Sequence, residues 1–210
     1  MRLLGLMATA HPVVPLGLPF MRRLQRWFAC QRLDSVRHKL RVLLVPRSVS
    51  PDLEYWGNPP TLLRGVPLGR VTSYVVVFTD ASLTGWGGTC LSHSVGGEWR
   101  TPPTVHINVL ELVAVKKVLL NFFHLVRGRH VLIRTDSVTA AAYINKQGGV
   151  RSSALHQKAV VLWLWAHQYL LSLRALHIAG AQNLGADLMS RGGPRRDERR
   201  LHPDIVRLIS

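Results

Sequence analysis

The stretch at 74–93 reads YVVVFTDASLTGWGGTCLSH, and it decides the class of fold. Its first five residues, at 74–78, are β-branched or aromatic, which is typical of a buried strand. Gly85 marks a turn before a second predicted strand at 86–93, and a third short strand is predicted at 97–100. Three short strands joined by tight turns predict an antiparallel meander.

The chain that follows alternates between helical and strand patterns. In the long helix at 152–172, the apolar run from Val160 to Trp165 predicts a buried stripe. We expect a mixed five-stranded α/β sheet, three strands antiparallel and then two parallel, flanked by helices in the order βββαβααβα. The predicted stripe is Val160, Val161, Trp163, Leu164 and Trp165. The predicted later elements are a helix at 108–126, a strand at 130–135, helices at 137–146 and 152–172, a strand at 173–178 and a helix at 183–191.

Carboxylates are scarce between Ser73 and Arg195. This stretch has five acidic residues against twelve Lys and Arg, so a solvated acidic face cannot account for them. Like-charged carboxylates held close together repel, and a divalent cation that prefers oxygen ligands, such as Mg²⁺, makes them tolerable. The pattern therefore predicts a two-metal site of the kind that hydrolyses phosphodiesters. Four acids fall where a strand ends or a helix begins: Asp80, Glu111, Asp136 and Asp187.

Each of these four acids also has a purely structural interpretation. Asp80 could open a turn after its strand, and Asp136 could cap the helix that follows it. Glu111 lies three residues after Asn108, which is the spacing of a helix capping box. Asp187 could lie on a solvated helix face. We favour a shared site, because the four structural interpretations would all have to hold at once.

Four motifs occur in the order and at the spacing of the ribonuclease H domain of reverse transcriptases, which this chain resembles from about 74 to 191. The resemblance implies a ribonuclease H-like fold. It also implies Mg²⁺-dependent endonucleolytic hydrolysis of the RNA strand in RNA:DNA hybrids. The motifs are Thr79-Asp80-Ala81-Ser82 with Gly85-Trp86-Gly87-Gly88, Asn108-Val109-Leu110-Glu111-Leu112, Arg134-Thr135-Asp136-Ser137, and the run from Asn183 to Arg191.

The resemblance also implies a role for each acid. Asp80 would bridge two Mg²⁺ ions, or two Mn²⁺ ions. Glu111 and Asp136 would complete the ligands of the first ion, and Asp187 would hold the second. Cleavage would leave a 5′ phosphate and a 3′ hydroxyl. His177 lies where cellular members of the family carry an auxiliary catalytic histidine, but its surrounding sequence differs from theirs. We expect instead a strand histidine with a satisfied hydrogen bond.

Polar residues near the motif ends are candidates for contacts with nucleic acid. An RNA strand is recognised through its 2′ hydroxyls, which polar side chains can contact. Val138 departs from the cellular pattern, which tends to have a polar substrate contact there, and the helix at 152–172 lacks the basic handle of some members. We therefore expect affinity to depend on a connected polymerase. The candidates are Ser82, Asn108, Ser137, Asn145 and Gln147.

The charge of the chain predicts a polyanionic partner. Its net charge is +16 with a pI near 11.4, so nucleic acid is the leading candidate. Residues 1–70 carry eleven Lys and Arg against three acids, but prolines break them into short helices and loops rather than an independent domain. Arg22, Arg23 and Arg26 could contact phosphates, or they could form a solvated helix face.

The expected organisation is a C-terminal fragment of a longer polyprotein. The run at 65–69, and the run at 15–18 before Arg26-Trp27-Phe28, resemble the polymerase-to-nuclease connection of DIRS-type vertebrate retrotransposons. The polymerase portion of the same polyprotein is then an expected partner. The predicted parts are a reverse transcriptase thumb- or connection-like fragment at 1–72, a ribonuclease H-like domain at 73–195 and a basic tail or linker at 196–210.

The cysteines and the first ten residues indicate the expected cellular compartment. Cys30 and Cys90 are isolated and match neither a disulfide framework nor a zinc pattern, so we expect an intracellular protein of the cytoplasm or nucleus. The start of the chain mimics a secretory signal that ends at Ala10, but its apolar run is short and prolines follow at once. We expect neither secretion nor membrane insertion, since no stretch reaches transmembrane length.

Two alternative functions remain open. A transposase or integrase core uses acids on a related sheet, but it usually presents two aspartates and then a glutamate, whereas Glu111 comes second here. A catalytically silent, connection-type domain that clamps nucleic acid would be indicated by the loss of one of the four acids, and none is lost. The sequence does not indicate an oligomeric state.

Overall fold

A computed structural model of the protein describes residues 2–34, 37–38, 40–66, 69, 71–101 and 103–193. The predicted tail at 196–210 lies outside these ranges. The strands within them are β1 (Val75–Ala81), β2 (Gly85–Cys90), β3 (His93–Glu98), β4 (His130–Thr135) and β5 (Ser172–His177). The helices are α1 (Arg2–Ala10), α2 (Gly17–Cys30), α3 (Ser50–Gly57), α4 (Pro59–Leu63), α5 (Ile107–Asn121), α6 (Phe123–Val126), α7 (Val138–Asn145), α8 (Ser153–Tyr169) and α9 (Leu184–Ser190), with a 3₁₀ turn at Gly180–Gln182.

The five strands form one mixed sheet in the order β3-β2-β1-β4-β5. β1, β2 and β3 pair antiparallel, whereas β1 pairs parallel with β4 and β4 with β5. This is the predicted fold class, which is confirmed. The parallel arrangement brings the carboxyl ends of β1 and β4 to the same edge of the sheet, where Asp80 and Asp136 lie.

The strand bounds of the meander differ from the predicted ones. β1 continues to Ala81, so Asp80 lies inside the strand and pairs with Gly87 instead of following the strand. The second turn falls at Leu91, which has a φ of 54°. Gly85, which the sequence assigned to a turn, instead begins β2 and pairs with Glu98 in β3.

The main core lies between the sheet and two long helices, α5 and α8. Apolar residues cover most faces of α5, so it packs against β1 and β2 on one side and against α8 on another. Val77, Ile133 and Leu173 contribute fully buried side chains from the sheet. Within the described residues, no helix is long and apolar enough to cross a membrane.

The predicted buried stripe of α8 is wrong. Val161 and Leu164 are each 44% exposed, because five nearly consecutive residues cannot share one face of a helix. The buried face instead follows steps of four, three and four residues, which keep side chains on one side. Its apolar members are Leu155, Ala159, Leu162 and Ala166.

The first seventy residues contain a small hydrophobic core of their own, which the sequence did not indicate. Pro51 and Pro59 stand at the first turns of α3 and α4, where proline favours a helix start because its missing N–H is not needed. These prolines start helices that pack together, so they do not merely break the chain. The assignment to a reverse transcriptase fragment stays a prediction. The core consists of Met7, Val14, Met21, Leu24, Val49 and Trp56.

A buried histidine lies near the contact between α2 and α8. Both ring nitrogens of His156 are buried without a hydrogen-bond partner among the described residues. Burial and the positive charges of Arg23, Arg22 and Arg26 lower the pKa of His156 to about 4. The native state therefore holds this ring neutral.

We expect His156 to make the protein less stable in acid. The unfolded chain takes up a proton near the ordinary pKa of 6.5, and the folded chain does so only near 4. Stability from this residue is complete above pH 6.5 and is lost as the pH falls toward 4, by on the order of 1 kcal/mol. The urea unfolding midpoint of His156→Gln relative to that of wild type should therefore be higher at pH 4.5 than at pH 7. The exposed His93→Gln is the control, and equal pH dependence in all three proteins would contradict the prediction.

Candidate metal centre

Asp80 is a buried carboxylate within β1. Asp80 is 5% exposed, and its backbone pairs with that of Gly87 across the hairpin. The turn after the strand depends on Ser82, whose Oγ accepts the Gly85 N–H at 2.9 Å. Asp80 therefore does not serve as the turn residue, and its carboxylate is available for another role.

Glu111 projects from the second turn of α5. The helix begins at Ile107, and its N-cap is His106, whose Nδ1 accepts the Asn108 N–H at 3.2 Å. The alternative of a capping box between Asn108 and Glu111 is therefore wrong. Glu111 is 6% exposed, and its Oε2 has no hydrogen-bond partner among the described residues. A buried carboxylate oxygen without a donor is costly, and a cation would satisfy it.

Asp136 lies between β4 and α7 and is partly buried. The N-cap of α7 is Ser137, whose Oγ accepts the Ala140 N–H at 3.2 Å. Asp136 therefore does not cap the helix. The capping serine holds the start of α7 and leaves the neighbouring carboxylate free.

Asp80, Glu111 and Asp136 form a three-carboxylate group. One oxygen from each lies within 4.8 Å of the other two. Burial, with the charges of Asp80 and Asp136, raises the pKa of Glu111 to about 8. Burial also raises the pKa of Asp80 to about 6, with Asp136 and Asp187 adding to the rise and a hydrogen bond from Ser190 opposing it. This concentration of buried oxygen ligands suits a hard divalent cation.

Asp187 is near this group but not part of it. It lies in the first turn of α9, its side chain is 38% exposed, and its Oδ1 accepts Arg191 Nε at 2.7 Å. Its charge still contributes to the raised pKa of Asp80. The structure thus brings three of the four predicted carboxylates together, and the fourth pairs with a cation one turn further along its own helix.

Three long-range hydrogen bonds anchor α9 beside the carboxylates. Asn183 Nδ2 donates to the backbone oxygen of Thr79 at 3.1 Å, and Ser190 Oγ donates to Asp80 Oδ2 at 2.5 Å. Ser82 Oγ in turn donates to the backbone oxygen of Ser190 at 2.7 Å. Sequence reasoning missed Ser190, although it lies inside the quoted motif at 183–191.

The close approach of α9 depends on glycines in β2 and β3. A Cβ on Gly87 would lie 2.4 Å from the backbone nitrogen of Ser190, and one on Gly96 would lie 2.4 Å from the backbone oxygen of Met189. Side chains at these positions would push the helix away. The glycine-rich run in the hairpin was the sequence signal that could have revealed this packing.

His177 lies at the end of β5 and is exposed. Its ring makes no hydrogen bond within the described part of the chain, so the expected satisfied bond is wrong. His177 is also not a member of the three-carboxylate group. An auxiliary role for it stays a prediction.

Three of the five polar candidates have structural partners. Asn145 Oδ1 accepts the Ala175 N–H at 2.9 Å and its Nδ2 donates to the Ala175 oxygen at 2.8 Å, which ties α7 to β5. Ser82 holds the hairpin turn and Ser137 caps α7. The side chains of the other two make no hydrogen bond within the described residues, so their amides are free to contact a ligand. They are Asn108 and Gln147.

The three arginines of α2 are partly buried, and they contact neighbouring residues as well as solvent. Arg23 Nε lies 3.6 Å from Asp52 Oδ2, and its Nη1 donates to the backbone oxygen of Ser48. Arg22 Nη1 donates to Gln25, and Arg26 Nη1 is buried without a partner among the described residues. Phosphate contacts by these arginines stay a prediction.

No family model and no curated protein matches the chain. Solved structures do match it. LC11-RNase H1, isolated from compost and solved with an RNA/DNA hybrid, is 17% identical with a TM-score of 0.50, covering 57% of this chain and 96% of that one. RNase H1 from Halobacterium salinarum is 17% identical with a TM-score of 0.47, covering 56% and 94%.

A foamy viral protease-reverse transcriptase, solved with an RNA/DNA hybrid, is also matched. It is 16% identical with a TM-score of 0.38, covering 77% of this chain and 28% of that one. The likeness to LC11-RNase H1 bears on the fold alone. The chain has a ribonuclease H-like fold.

Proposed function

We propose that this protein is a ribonuclease H, a metal-dependent endonuclease that hydrolyses the RNA strand of RNA:DNA hybrids. The observation that carries the proposal is the three-carboxylate group, whose oxygens converge within 4.8 Å at one edge of a ribonuclease H-like sheet. The three acids come from two strand ends and a helix, so local structure alone does not explain their convergence. The hybrid bound to LC11-RNase H1 supports the choice of substrate.

The residues present fit a divalent cation. Asp80, Glu111 and Asp136 would hold it, and Asp187 would serve a second ion; Mg²⁺ is our proposal, with Mn²⁺ as a substitute. When bound, two such ions lower the pKa of an attacking water and stabilise charge on the leaving 3′ oxygen. The products would carry a 5′ phosphate and a 3′ hydroxyl.

The chain's own residues prepare this chemistry. The carboxylates of Asp80 and Glu111 are withdrawn from water, which strengthens their interaction with a cation. The side chain of Asp187 is partly exposed, so it can face both the three-carboxylate group and the backbone of an approaching nucleic acid. Without a bound cation, the side chain of Arg191 pairs with Asp187. This ion pair is exposed and therefore weak enough for a metal cation to replace Arg191.

The substrate class follows from charge and from free polar groups. The net charge of +16 favours a nucleic-acid backbone, and recognition of RNA needs donors and acceptors for the 2′ hydroxyl. Asn108, in the first turn of α5, and Gln147, after α7, offer unengaged amides for this purpose. The same chemistry does not select a base sequence.

The wider context is also a proposal. We infer an intracellular reverse transcriptase of a DIRS-type retrotransposon, in which a polymerase portion of the same polyprotein presents the hybrid. A silent nucleic-acid clamp is the second candidate, since Asp187 is paired with Arg191 and stands outside the three-carboxylate group. A transposase or integrase core is disfavoured by the order of the acids.

A cleavage assay tests the proposal directly. The full chain should cut a hybrid with a labelled RNA strand in Mg²⁺, should stop cutting in EDTA, and should leave the matching RNA and DNA duplexes intact. Hybrid binding without cleavage in either Mg²⁺ or Mn²⁺ would favour the silent clamp. Cutting of duplex DNA would favour the transposase class.

We expect the metal-free protein to lose stability as the pH rises. Glu111 has an ordinary pKa of 4.5 and a folded pKa of about 8, so its contribution is complete below pH 4.5 and is lost as the pH rises through 8. The loss between pH 5 and pH 8 should be on the order of 1–3 kcal/mol in EDTA, and Mg²⁺ should reverse it. Urea unfolding at both pH values measures this.

Two glutamate variants sharpen the pH experiment. Glu111→Gln should lose the part of the pH dependence that Glu111 supplies, because an amide does not titrate, and should keep the part that the raised pKa of Asp80 supplies. Glu98→Gln changes an exposed glutamate of the same region and should behave like wild type. A wild-type protein whose stability in EDTA changes with pH no differently from that of Glu111→Gln would contradict the rise in the pKa of Glu111 through burial and repulsion.

A further inference from the structure

The last turn of α9 places a serine hydroxyl against the three-carboxylate group. Ser190 is 1% exposed, and its Oγ lies 2.5 Å from Asp80 Oδ2 and 2.9 Å from the backbone oxygen of Asp187. One hydroxyl proton can serve only one of these acceptors. The carboxylate is nearer and charged, so it takes the stronger hydrogen bond.

The backbone of Ser190 is fixed as firmly as its side chain. Ser82 Oγ donates to the Ser190 oxygen at 2.7 Å, which joins the β1–β2 turn to the end of α9. Two glycines make room for this approach. A Cβ on Gly85 would lie 2.7 Å from the backbone oxygen of Ser190, and a Cβ on Gly87 would lie 2.4 Å from its backbone nitrogen. The hydroxyl is therefore held in place before any ligand arrives.

We propose that Ser190 is a positioning residue for the metal centre, which orients the Asp80 carboxylate and couples it to the helix that carries Asp187. The inference rests on the proposed function. The hydrogen bond uses one lone pair of Oδ2 and leaves the other carboxylate oxygen and the remaining lone pair for cations. Partners of this kind hold a ligating carboxylate in the orientation that the metal needs.

The coupling follows from the position of Ser190 in its helix. Asp187 lies three residues earlier, on the same side of α9, so the hydroxyl that fixes Asp80 also fixes the distance to the fourth carboxylate. No other side-chain hydrogen bond within the described residues joins α9 to one of the three carboxylates. Loss of the hydroxyl should therefore weaken metal binding more than it weakens folding.

Ser190→Ala removes the hydroxyl and keeps the helix, because alanine is the best helix former and the bond from Asn183 to Thr79 remains. The matched control is Ser172→Ala. Ser172 is partly buried, and its Oγ lies 2.8 Å from His130 Nδ1 at the opposite end of the parallel strands. Both variants lose one side-chain hydrogen bond, and only one of the lost bonds involves a carboxylate.

The experiment measures Mg²⁺ in two ways on the full chain. Calorimetric titration gives the affinity for Mg²⁺ without substrate, and hybrid cleavage at increasing Mg²⁺ gives the half-saturating concentration and the saturated rate. In Ser190→Ala we expect affinity to fall about 10- to 100-fold, with a matching rise in the half-saturating concentration. The saturated rate should change much less, and Ser172→Ala should match wild type.

The outcomes separate the inference from the proposed function. Wild type that neither binds Mg²⁺ nor cuts hybrid would overturn the proposed function, and the inference with it. Wild type that does both, beside a Ser190→Ala variant of equal Mg²⁺ affinity, would overturn the inference alone. A lower melting temperature and saturated rate at an unchanged half-saturating concentration would also overturn it, since the serine would then be only structural.

Discussion

Asp80→Asn and Asp136→Asn should each abolish cleavage of the RNA strand while the fold persists. An amide keeps the shape of the carboxylate and removes the charge that holds a cation. Bound metal stabilises the transition state by several kcal/mol, so the expected loss is about a thousandfold or more. Cleavage of a labelled hybrid under single-turnover conditions measures the loss.

The control for these substitutions is Glu98→Gln, which neutralises an exposed acid outside the three-carboxylate group and should keep the wild-type rate. Each aspartate variant should also melt at a higher temperature than wild type in EDTA, because one member of a repulsive group has lost its charge. A wild-type rate in either variant would rule out the proposed site. A clear loss of stability in EDTA would indicate that the carboxylate is structural.

Gly87→Ala should disrupt the centre from a distance, by displacing α9. Its Cβ would lie 2.4 Å from the backbone nitrogen of Ser190 and 2.5 Å from the carbonyl carbon of Met189. Backbone atoms cannot move aside as a flexible side chain can, so the helix must shift. We expect the free energy of unfolding to fall by about 1–3 kcal/mol, the usual range for overpacking. We also expect Mg²⁺ affinity to fall, by a larger fraction of its wild-type value than the stability does.

The measurement is urea unfolding together with Mg²⁺ titration, and the control is Gly5→Ala. Gly5 lies within α1, where an added Cβ would meet nothing within 4 Å. That substitution should be neutral or slightly stabilising, since alanine favours helix over glycine. Wild-type stability and Mg²⁺ affinity in Gly87→Ala would show that α9 does not depend on the glycine surface.

The order of the elements was predictable because it depends on local patterns. The strand at 130–135 has the predicted bounds, since its apolar residues and flanking polar residues are neighbours in the chain. The convergence of Asp80, Glu111 and Asp136 was also predictable. Asp80 lies near the end of β1, Asp136 directly follows β4 and Glu111 lies near the start of α5. The parallel pairing of β1 with β4 sends the ends of these two strands to the same edge.

The role of a residue was predicted less accurately where its neighbours in the sequence allowed two different roles. The pattern at 108–111 allowed a capping box, but the helix starts earlier because His106 caps it. Asp187 was predicted to join the other acids, but the same helix places Arg191 against it. In both cases nearby side chains compete for the same partner, and their geometry decides the outcome.

The sequence by itself determined the fold class and the order of the strands along the chain, and it identified four acids, of which three meet. Only the tertiary structure decided the role of Ser190, because its hydroxyl and the Asp80 carboxylate are 110 residues apart in the chain. It likewise decided why the glycines of the hairpin are needed and which face of α8 is buried. The physical reason is common to all three: local patterns set the elements, whereas contacts between distant elements depend on how closely those elements pack.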